Sequence, residues 1–341
     1  MDGNYGNQTT LLSNASLPEF VDLTRRTFVL MQDEAAKNAR QLFIETTIEG
    51  SSKRFQEVDT EKYADVKAEG GDSLKGKVGV GYFMDLSIRT FSKEVDITIE
   101  NRQDNRDEVV QSKVLSLANF GNNRMELDLT HRLTFAGDTS YTDKNGETVT
   151  TEVGDGLALA SAVHTLAFSS TTYNNIVTGN PAFSESSLES ALLIAATQIY
   201  SNFGEKRTMR FNTIVTGNDA GTIRTVRQVL ESTADVDAAQ AGVKNVYQGG
   251  FRHVVLEDLA TTAAGAYNSA KRRYWFLVAA GQGINGWQAY LGIKQAPDLM
   301  VPSSGNNGED IHNRNWTFST LTRYGIVTVS PKGIICSLVS S

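Results

Sequence analysis

Ser161 and His164, three positions apart, come closest to a catalytic pattern in this sequence. A serine nucleophile needs a base that takes its proton, an acid that orients the base, and an oxyanion hole. Nothing in the neighbouring sequence marks the last two parts. We therefore predict that His164 is a structural histidine whose hydrogen bonds are satisfied within the fold.

Two glycine-rich segments resemble the motifs of phosphate-binding loops. Segment 281–286 matches the dinucleotide-binding glycine pattern, but in such a site a helix must follow, so that its N-terminus meets the pyrophosphate. Segment 287–293 alternates like a strand instead, so we predict a glycine-rich hairpin between strands 274–280 and 287–293. Segment 71–77 resembles a P-loop, yet Val78 follows it and offers no hydroxyl to bind magnesium. Neither segment predicts a nucleotide site.

Residues that bind metals are few and scattered. The four histidines are not paired at metal-ligand spacing, and there is a single cysteine, so a zinc site is not indicated. These residues are His131, His164, His253, His312 and Cys336. We predict no catalytic, cofactor-binding or metal-binding residues and no enzymatic activity. An enzyme with an unrecognised site stays open as an alternative.

The charge of the 341-residue chain, −7, limits its partners. Tight binding of nucleic acid through its phosphates needs positive charge or a local basic stripe. The densest basic cluster, Lys271-Arg272-Arg273, leads into an apolar strand, and we predict a solvated turn there. No apolar run approaches the length of about 20 residues that spans a bilayer, and no secretion signal is evident at the N-terminus.

Positions 107–135 carry the strongest helical pattern in the chain. Apolar residues recur every three or four positions, at Val110, Val114, Leu117, Gly121, Met125, Leu129 and Leu133. Asp107 and Glu108 place acids in the first turn, where the helix dipole favours them, and Gly137 provides a stop. We predict one helix, roughly 40 Å long, with another backbone crossing closely at Gly121. The alternative is two helices broken at 121–123.

Segment 41–103 has a β pattern with a charged insertion. Apolar and polar residues alternate in 43–48, 82–88 and 95–99, and the alternation changes phase between the last two, which indicates a bulge or bend. The charged segment 59–77 separates the first strand from the second. We predict a projecting hairpin, and since two strands alone are marginally stable in water, we expect it to need a partner surface. Residues 1–40 lack a core pattern and are predicted to form an arm.

The rest of the chain predicts an α/β region and a closing β segment. Asn145-Gly146 between threonine-rich runs is a strong hairpin signal. Ser186 and Glu189 have capping-box spacing at the start of a helix. The elements predicted after this helix are a strand at 209–216, a helix at 223–230, strands at 251–257, 274–280 and 287–293, and β runs within 315–339.

The order of these elements resembles that of tailed-bacteriophage major capsid proteins, which have the α+β Hong Kong 97-type fold. Segment 154–164, with its Gly-Asp-Gly, Ser and His, is similar to the stretch after the long helix in one branch of that family. Segment 316–330 resembles the closing strands of the family's peripheral domain. The ranges implied are an N-terminal arm 1–40, an extended β-hairpin loop 41–103, a peripheral domain of 104–184 and 306–341 with a spine helix 107–135, and an axial domain 185–305.

The resemblance also implies a structural function. The chain would assemble with copies of itself into pentamers and hexamers of an icosahedral shell, which encloses double-stranded DNA without sequence-specific binding. A separate scaffolding protein, a portal and decoration proteins are the further partners it implies, with no cofactor and no membrane. The protein would belong to a virion assembled in the host cytoplasm. The alternative is an encapsulin-type shell protein of a cytoplasmic nanocompartment, which shares the fold.

Overall fold

The computed structural model describes most of the chain. The described residues are 21–22, 24–26, 28–29, 38–67, 69–73, 75–103, 107–233, 244–302, 310 and 312–339. Most of the predicted arm, 1–40, lies outside them. The described residues between 21 and 29 are helical, and Thr24 and Phe28 are buried there.

The longest described helix occupies the segment predicted to be one helix. The helices are α1 (Ile99–Gln103), α2 (Asp107–Thr134), α3 (Glu185–Thr197) and α4 (Ala220–Glu231). Helix α2 continues through Gly121, so the alternative of two broken helices is wrong. A Cβ at Gly121 would lie 2.9 Å from the Cβ of Pro297, so the predicted close approach exists, although a proline side chain makes it.

The long helix packs against one four-stranded sheet. Its order is β1 (Ile44–Thr47), β10 (Gln288–Met300), β11 (Trp316–Ser330) and β4 (Arg89–Ile97). Strand β1 is parallel to β10, and the other neighbours are antiparallel. Met125, Leu129 and Leu133 of α2 are buried in one hydrophobic cluster with Leu291 and Tyr324 of the sheet. The apolar stripe of α2 therefore forms part of the core of this layer.

A second four-stranded sheet has the order β12 (Ile334–Ser337), β9 (Trp275–Val278), β7 (Thr213–Gly217) and β8 (Arg252–Leu256). Leu188 of α3 and Val226 of α4 are buried in one cluster with Trp275 and Leu277. Helix α3 begins at Glu185 and is capped by Ser184, which forms the capping box with Ser187. The prediction of a box between Ser186 and Glu189 is wrong by two residues, because two serines make the reciprocal hydrogen bonds.

The glycine-rich segment 281–286 is not a hairpin turn. The strands on its two sides, β9 and β10, belong to different sheets, and a short 3-10 turn, Gly283–Asn285, lies between them. Strand β10 pairs with β11, and β12 pairs with β9, so two pairings cross the predicted boundary at 305/306. The domain ranges themselves stay a prediction.

Two hairpins complete the described structure. Strands β5 (Ser140–Thr142) and β6 (Thr148–Thr150) pair around Asn145-Gly146, as predicted. Strands β2 (Ser52–Thr60) and β3 (Val78–Ser87) form the longer, antiparallel hairpin. The alternation of apolar and polar residues changes phase after 82–88, where β3 ends and β4 begins. Strand β3 pairs with β2, whereas β4 pairs with β11. Segment 43–48 was predicted as the other hairpin strand, but it supplies β1 of the first sheet. Among the described helices, none has the length and apolar character to span a membrane.

Candidate functional site

His164 is held in a structural role, as its sequence context predicts. Its Nδ1 lies 2.8 Å from Asp155 Oδ2 and its Nε2 lies 3.2 Å from the Leu159 carbonyl oxygen. Since both ring nitrogens are engaged, neither is available to take a proton from Ser161. Burial raises the pKa of Asp155, but the hydrogen bonds from His164 and from two backbone amides outweigh burial and hold that pKa below its usual value.

His131, His253 and Cys336 are also parts of the fold. His131 is buried, with Nε2 3.1 Å from Thr261 Oγ1, and burial lowers its pKa to about 4, so it is neutral at pH 7. His253 Nε2 lies 2.9 Å from Thr216 Oγ1. Burial raises the pKa of the Cys336 thiol. In the part of the chain that the structure describes, no group of three His, Cys, Asp or Glu residues could hold a metal ion.

The basic cluster 271–273 is only partly a solvated turn. Lys271 Nζ donates a hydrogen bond of 2.8 Å to the carbonyl oxygen of Thr134 at the end of α2, and it lies 3.6 Å from the ring centroid of Phe135. A cation at a helix C-terminus is favoured by the helix dipole. The prediction was therefore wrong for Lys271, which stabilises the end of the long helix.

The β2–β3 hairpin has two contrasting faces. On one face, which we call the inner face, Phe55 stacks on Tyr290 of β10 with ring centroids 4.2 Å apart. Glu57 and Asp59, the next two residues on that face, are 2% and 7% exposed. Gln56 and Val58 alternate with these residues along the strand, point the other way and are exposed. The inner face thus places two carboxylates against the body of the protein.

A buried network of charges joins the inner face to the body. Lys332 Nζ, from the turn between β11 and β12, lies 2.6 Å from Glu57 Oε1. Asp59 Oδ2 accepts a hydrogen bond of 2.9 Å from the Asn202 backbone amide. Arg207 lies 3.4 Å from the other oxygen of Asp59. Two cations and two carboxylates therefore balance each other beneath the paired part of the hairpin, residues 52–61 and 77–87, which we call its base to distinguish it from its tip, 62–76.

Two glycines of β3 let the body approach the hairpin closely. A Cβ at Gly79 would lie 2.3 Å from the Phe168 ring, and a Cβ at Gly81 would lie 2.4 Å from Asn202 Nδ2. The hairpin was predicted to project and to need a partner surface, and for its base that surface comes from the same chain. The sequence did not reveal this contact because Lys332, Asn202 and Arg207 are far from the hairpin along the chain.

The opposite face, here the outer face, consists of Val58, Val78, Val80 and Phe83, with Arg54 and Asp85 farther from the tip. Thirteen large apolar side chains are exposed among the described residues, and six of them lie between 58 and 83. These six are Val58, Tyr63, Val66, Val78, Val80 and Phe83. Isolated apolar residues on a surface are ordinary, but a concentration of them marks an interaction site. The outer face is therefore the candidate functional site.

The comparisons with known proteins identify the fold. No protein-family model and no curated protein matches the chain. Among solved structures, a capsid asymmetric unit of cyanophage Pam1 matches with a TM-score of 0.51 and 15% identity, over 86% of this chain and 87% of that one. The capsid of Ralstonia phage GP4 matches with a TM-score of 0.51 and 12% identity, over 88% of this chain and 87% of that one. The chain has the Hong Kong 97-type fold of tailed-phage capsid proteins, and the predicted fold class is confirmed.

Proposed function

We propose that this chain is a major capsid protein, a structural protein without enzymatic activity. Its copies assemble into pentamers and hexamers of an icosahedral shell that encloses the double-stranded DNA of a tailed phage. The observation that carries the proposal is the outer face, an exposed apolar surface on a hairpin whose base is fixed by buried charges. A second copy of the chain is its partner, because the fold is that of proteins found in capsids.

The domain ranges belong to the same proposal. The β2–β3 hairpin corresponds to the extended loop, helix α2 to the spine helix, and the segment before residue 40 to the arm. A separate scaffolding protein, a portal and decoration proteins would be the further partners, and assembly would take place in the host cytoplasm.

The outer face gives a direct test of assembly. Val80→Glu combined with Phe83→Glu places two charges on it, and a contact buried between copies would then contain unpaired charges. We expect shells or capsomers of the unchanged chain in negative-stain electron microscopy and light scattering, alone or with a scaffold, and none from the double variant. Circular dichroism melting should show that the variant stays folded.

Met300→Glu is the matched control, since Met300 is exposed to a similar degree but lies on β10. Its shells should form normally. Normal shells from the outer-face double variant would show that this face is not the assembly contact. An unchanged chain that stays monomeric in the presence of a scaffold would contradict the proposed function itself.

The interaction with DNA should be enclosure rather than recognition. With a net charge of −7, the chain should repel phosphates at short range unless a local basic surface overcomes this. We expect no sequence-dependent gel shift of a DNA duplex by purified capsomers at physiological salt. Nuclease-protected DNA in particles purified from infected cells would support a phage shell, and particles filled with protein cargo would support an encapsulin instead.

A further inference from the structure

The ring of His164 lies between two oxygen atoms that can accept hydrogen bonds but cannot donate them. Its Nδ1 is 2.8 Å from Asp155 Oδ2, and its Nε2 is 3.2 Å from the Leu159 carbonyl oxygen. The side chains of His164 and Asp155 are 0% and 2% exposed, so both contacts are shielded from solvent. A neutral imidazole has one N–H group and one lone pair, and here the lone pair would face an acceptor oxygen.

Both oxygen atoms are fixed as acceptors by their other contacts. Asp155 also accepts hydrogen bonds of 3.1 Å and 3.2 Å from the backbone amides of Leu157 and Thr165. Although burial opposes ionisation, the hydrogen bonds that Asp155 accepts hold its pKa below the usual value, so it is a carboxylate at pH 7. The Leu159 carbonyl oxygen has two lone pairs, and one of them accepts a hydrogen bond of 2.7 Å from an asparagine amide. Satisfying both contacts therefore requires a hydrogen on each ring nitrogen.

Two other histidines have partners that make no such demand. His131 Nε2 lies 3.1 Å from the hydroxyl oxygen of Thr261, and His253 Nε2 lies 2.9 Å from that of Thr216. A hydroxyl group can donate or accept, so either contact is satisfied by a neutral imidazole. Among these three histidines, only His164 faces an acceptor with each ring nitrogen.

We propose that His164 is a buried imidazolium that forms a pH-sensitive clasp with the Asp155 carboxylate. The second ring proton keeps the clasp closed, and its loss at alkaline pH opens the clasp, because a nitrogen lone pair then faces an oxygen lone pair. In acid the clasp opens from the other side, when the carboxylate takes a proton below the ordinary aspartate pKa of about 3.9. The clasp belongs to the folded chain, so the proposal stands apart from assembly.

The titratable groups packed around the ring are compatible with a positive charge. Tyr173 stacks on the ring of His164 with centroids 5.2 Å apart, and two backbone hydrogen bonds join these residues. Burial raises the pKa of Tyr173, with further contributions from Asp155, Glu57 and Tyr82, so Tyr173 is a neutral phenol at pH 7. Glu57 has its own cation. Asp155 is therefore the charge that the imidazolium meets directly.

The clasp holds a loop, residues 154–168, against the hairpin. The Thr165 hydroxyl lies 2.8 Å from the hydroxyl of Tyr82 in β3. The ring of Phe168 packs against Gly79 of the same strand. The clasp joins two positions of this loop that are nine residues apart. Its opening would release one side of β3 while the pairing of β3 with β2 stays intact.

Nitrogen NMR of the full-length chain, labelled at histidine, tests the charge state in the unassembled protein or in sedimented shells. An ordinary histidine, with a pKa of about 6.5, is mostly neutral at pH 7. We expect His164 to have a proton on each ring nitrogen at pH 7, and His131 to have a proton on one. The His164 signals are identified by their loss in His164→Gln or, if that variant does not fold, by elimination with variants of the other three histidines. A lone pair on either ring nitrogen of His164 at pH 7 would overturn the proposal.

Amide hydrogen exchange tests whether the clasp holds the loop. The amides of Leu157 and Thr165 report on it, because both donate to Asp155. In Asp155→Asn we expect both to exchange about tenfold faster or more at pH 7, since hydrogen bonds to a charged group are lost. Asp138→Asn is the matched control, an exposed aspartate outside the loop, and it should leave both rates unchanged. Equal exchange in Asp155→Asn and the unchanged chain would show that there is no clasp.

Urea midpoints measured from pH 7 to pH 10 test the pH sensitivity. A proton held only in the folded state stabilises the fold at the lower pH, and this contribution is lost as the pH rises. The difference in midpoint between the unchanged chain and Asp155→Asn should therefore narrow toward pH 10, while that for Asp138→Asn stays constant. A difference for Asp155→Asn that is constant over this range would contradict opening by loss of the ring proton.

Discussion

The two faces of the β2–β3 hairpin hold ion pairs in opposite surroundings. On the inner face, Glu57 and Lys332 are 2.6 Å apart and their side chains are each 3% exposed. On the outer face, Arg54 and Asp85 are 2.8 Å apart, with side chains 52% and 49% exposed. The distances are nearly equal, so distance does not separate the two pairs. Burial does, because removing one partner of a buried pair leaves an uncompensated charge, whereas water screens an exposed pair.

This difference shows how one hairpin serves two purposes. The buried charges on the inner face fix the base against the body, and since such charges require their specific partners, they allow few alternative orientations. The apolar outer face is then presented in a defined direction. In the proposed shell, the inner face positions the hairpin and the outer face binds the neighbouring copy.

Lys332→Met should have the largest effect on stability. It leaves Glu57 buried without its cation, and breaking a buried pair in this way costs about 3–5 kcal/mol. Urea denaturation of the unassembled variant, followed by circular dichroism, measures the change in the free energy of unfolding.

A double-mutant cycle isolates the charge effect. Adding Glu57→Gln to Lys332→Met removes the unpaired carboxylate, so part of the lost stability should return. The interaction energy between the two substitutions should be roughly 0.5–3 kcal/mol. Glu57→Gln alone, measured in the same way against the unchanged chain, completes the cycle. If the double variant were less stable than Lys332→Met alone, Glu57 would not be paired chiefly with Lys332.

The burial of acids on the inner face is a feature that the sequence could not predict. Glu57 and Asp59 alternate with Val58, and such a strand is ordinarily expected to bury its valines and expose its acids. Here the pattern is inverted, since the cations that neutralise the acids come from the distant positions 207 and 332. No local rule reports a partner that far along the chain.

Local patterns did predict the elements whose causes are local. The stripe from Leu117 to Leu133 predicted the continuous helix α2, and Asn145-Gly146 predicted the β5–β6 hairpin. The segment 281–286 was misread because a glycine-rich connection looks alike whether the chain stays in one sheet or crosses to another. The outer face was visible in the sequence only as scattered valines, and its meaning depended on knowing which way they point.

Gly81→Ala should have the next largest effect, and Gly79→Ala is its matched partner. The Cβ at position 81 would meet Asn202, which is fully buried and cannot move aside, so we expect a loss of about 1–3 kcal/mol. The Cβ at position 79 would meet Phe168, which is 48% exposed and can swing toward solvent. Urea midpoints of the two variants measure the difference. Equal losses of stability in the two variants would show that the body packs no more tightly against Gly81 than against Gly79.

Deleting 63–75 and closing the gap with a short glycine turn should change stability still less. The deletion spares Asp59, Glu61 and Lys77, which make contacts at the base, and loop length changes closure entropy by only about 0.6 kcal/mol per doubling. Shell assembly should nevertheless fail, because Tyr63 and Val66 belong to the exposed apolar set. Thermal melting and electron microscopy of one preparation test both parts. Normal shells would mean that the tip is dispensable.

Asp85→Asn should have the smallest effect, and its pH dependence completes the comparison. The hydrogen bond from Arg54 holds the pKa of Asp85 below its usual value. A lowered pKa in the folded state means that the carboxylate stabilises the fold above the ordinary aspartate pKa of about 3.9, and that this contribution is lost as the pH falls through the folded value. The difference between the unchanged chain and Asp85→Asn should therefore be small at pH 7, shrink with added salt, and shrink further as the pH falls below about 3.9. Urea midpoints at pH 7 and pH 3, with and without salt, measure it. A loss at pH 7 as large as that of Lys332→Met would contradict the argument that burial, not distance, separates the two faces.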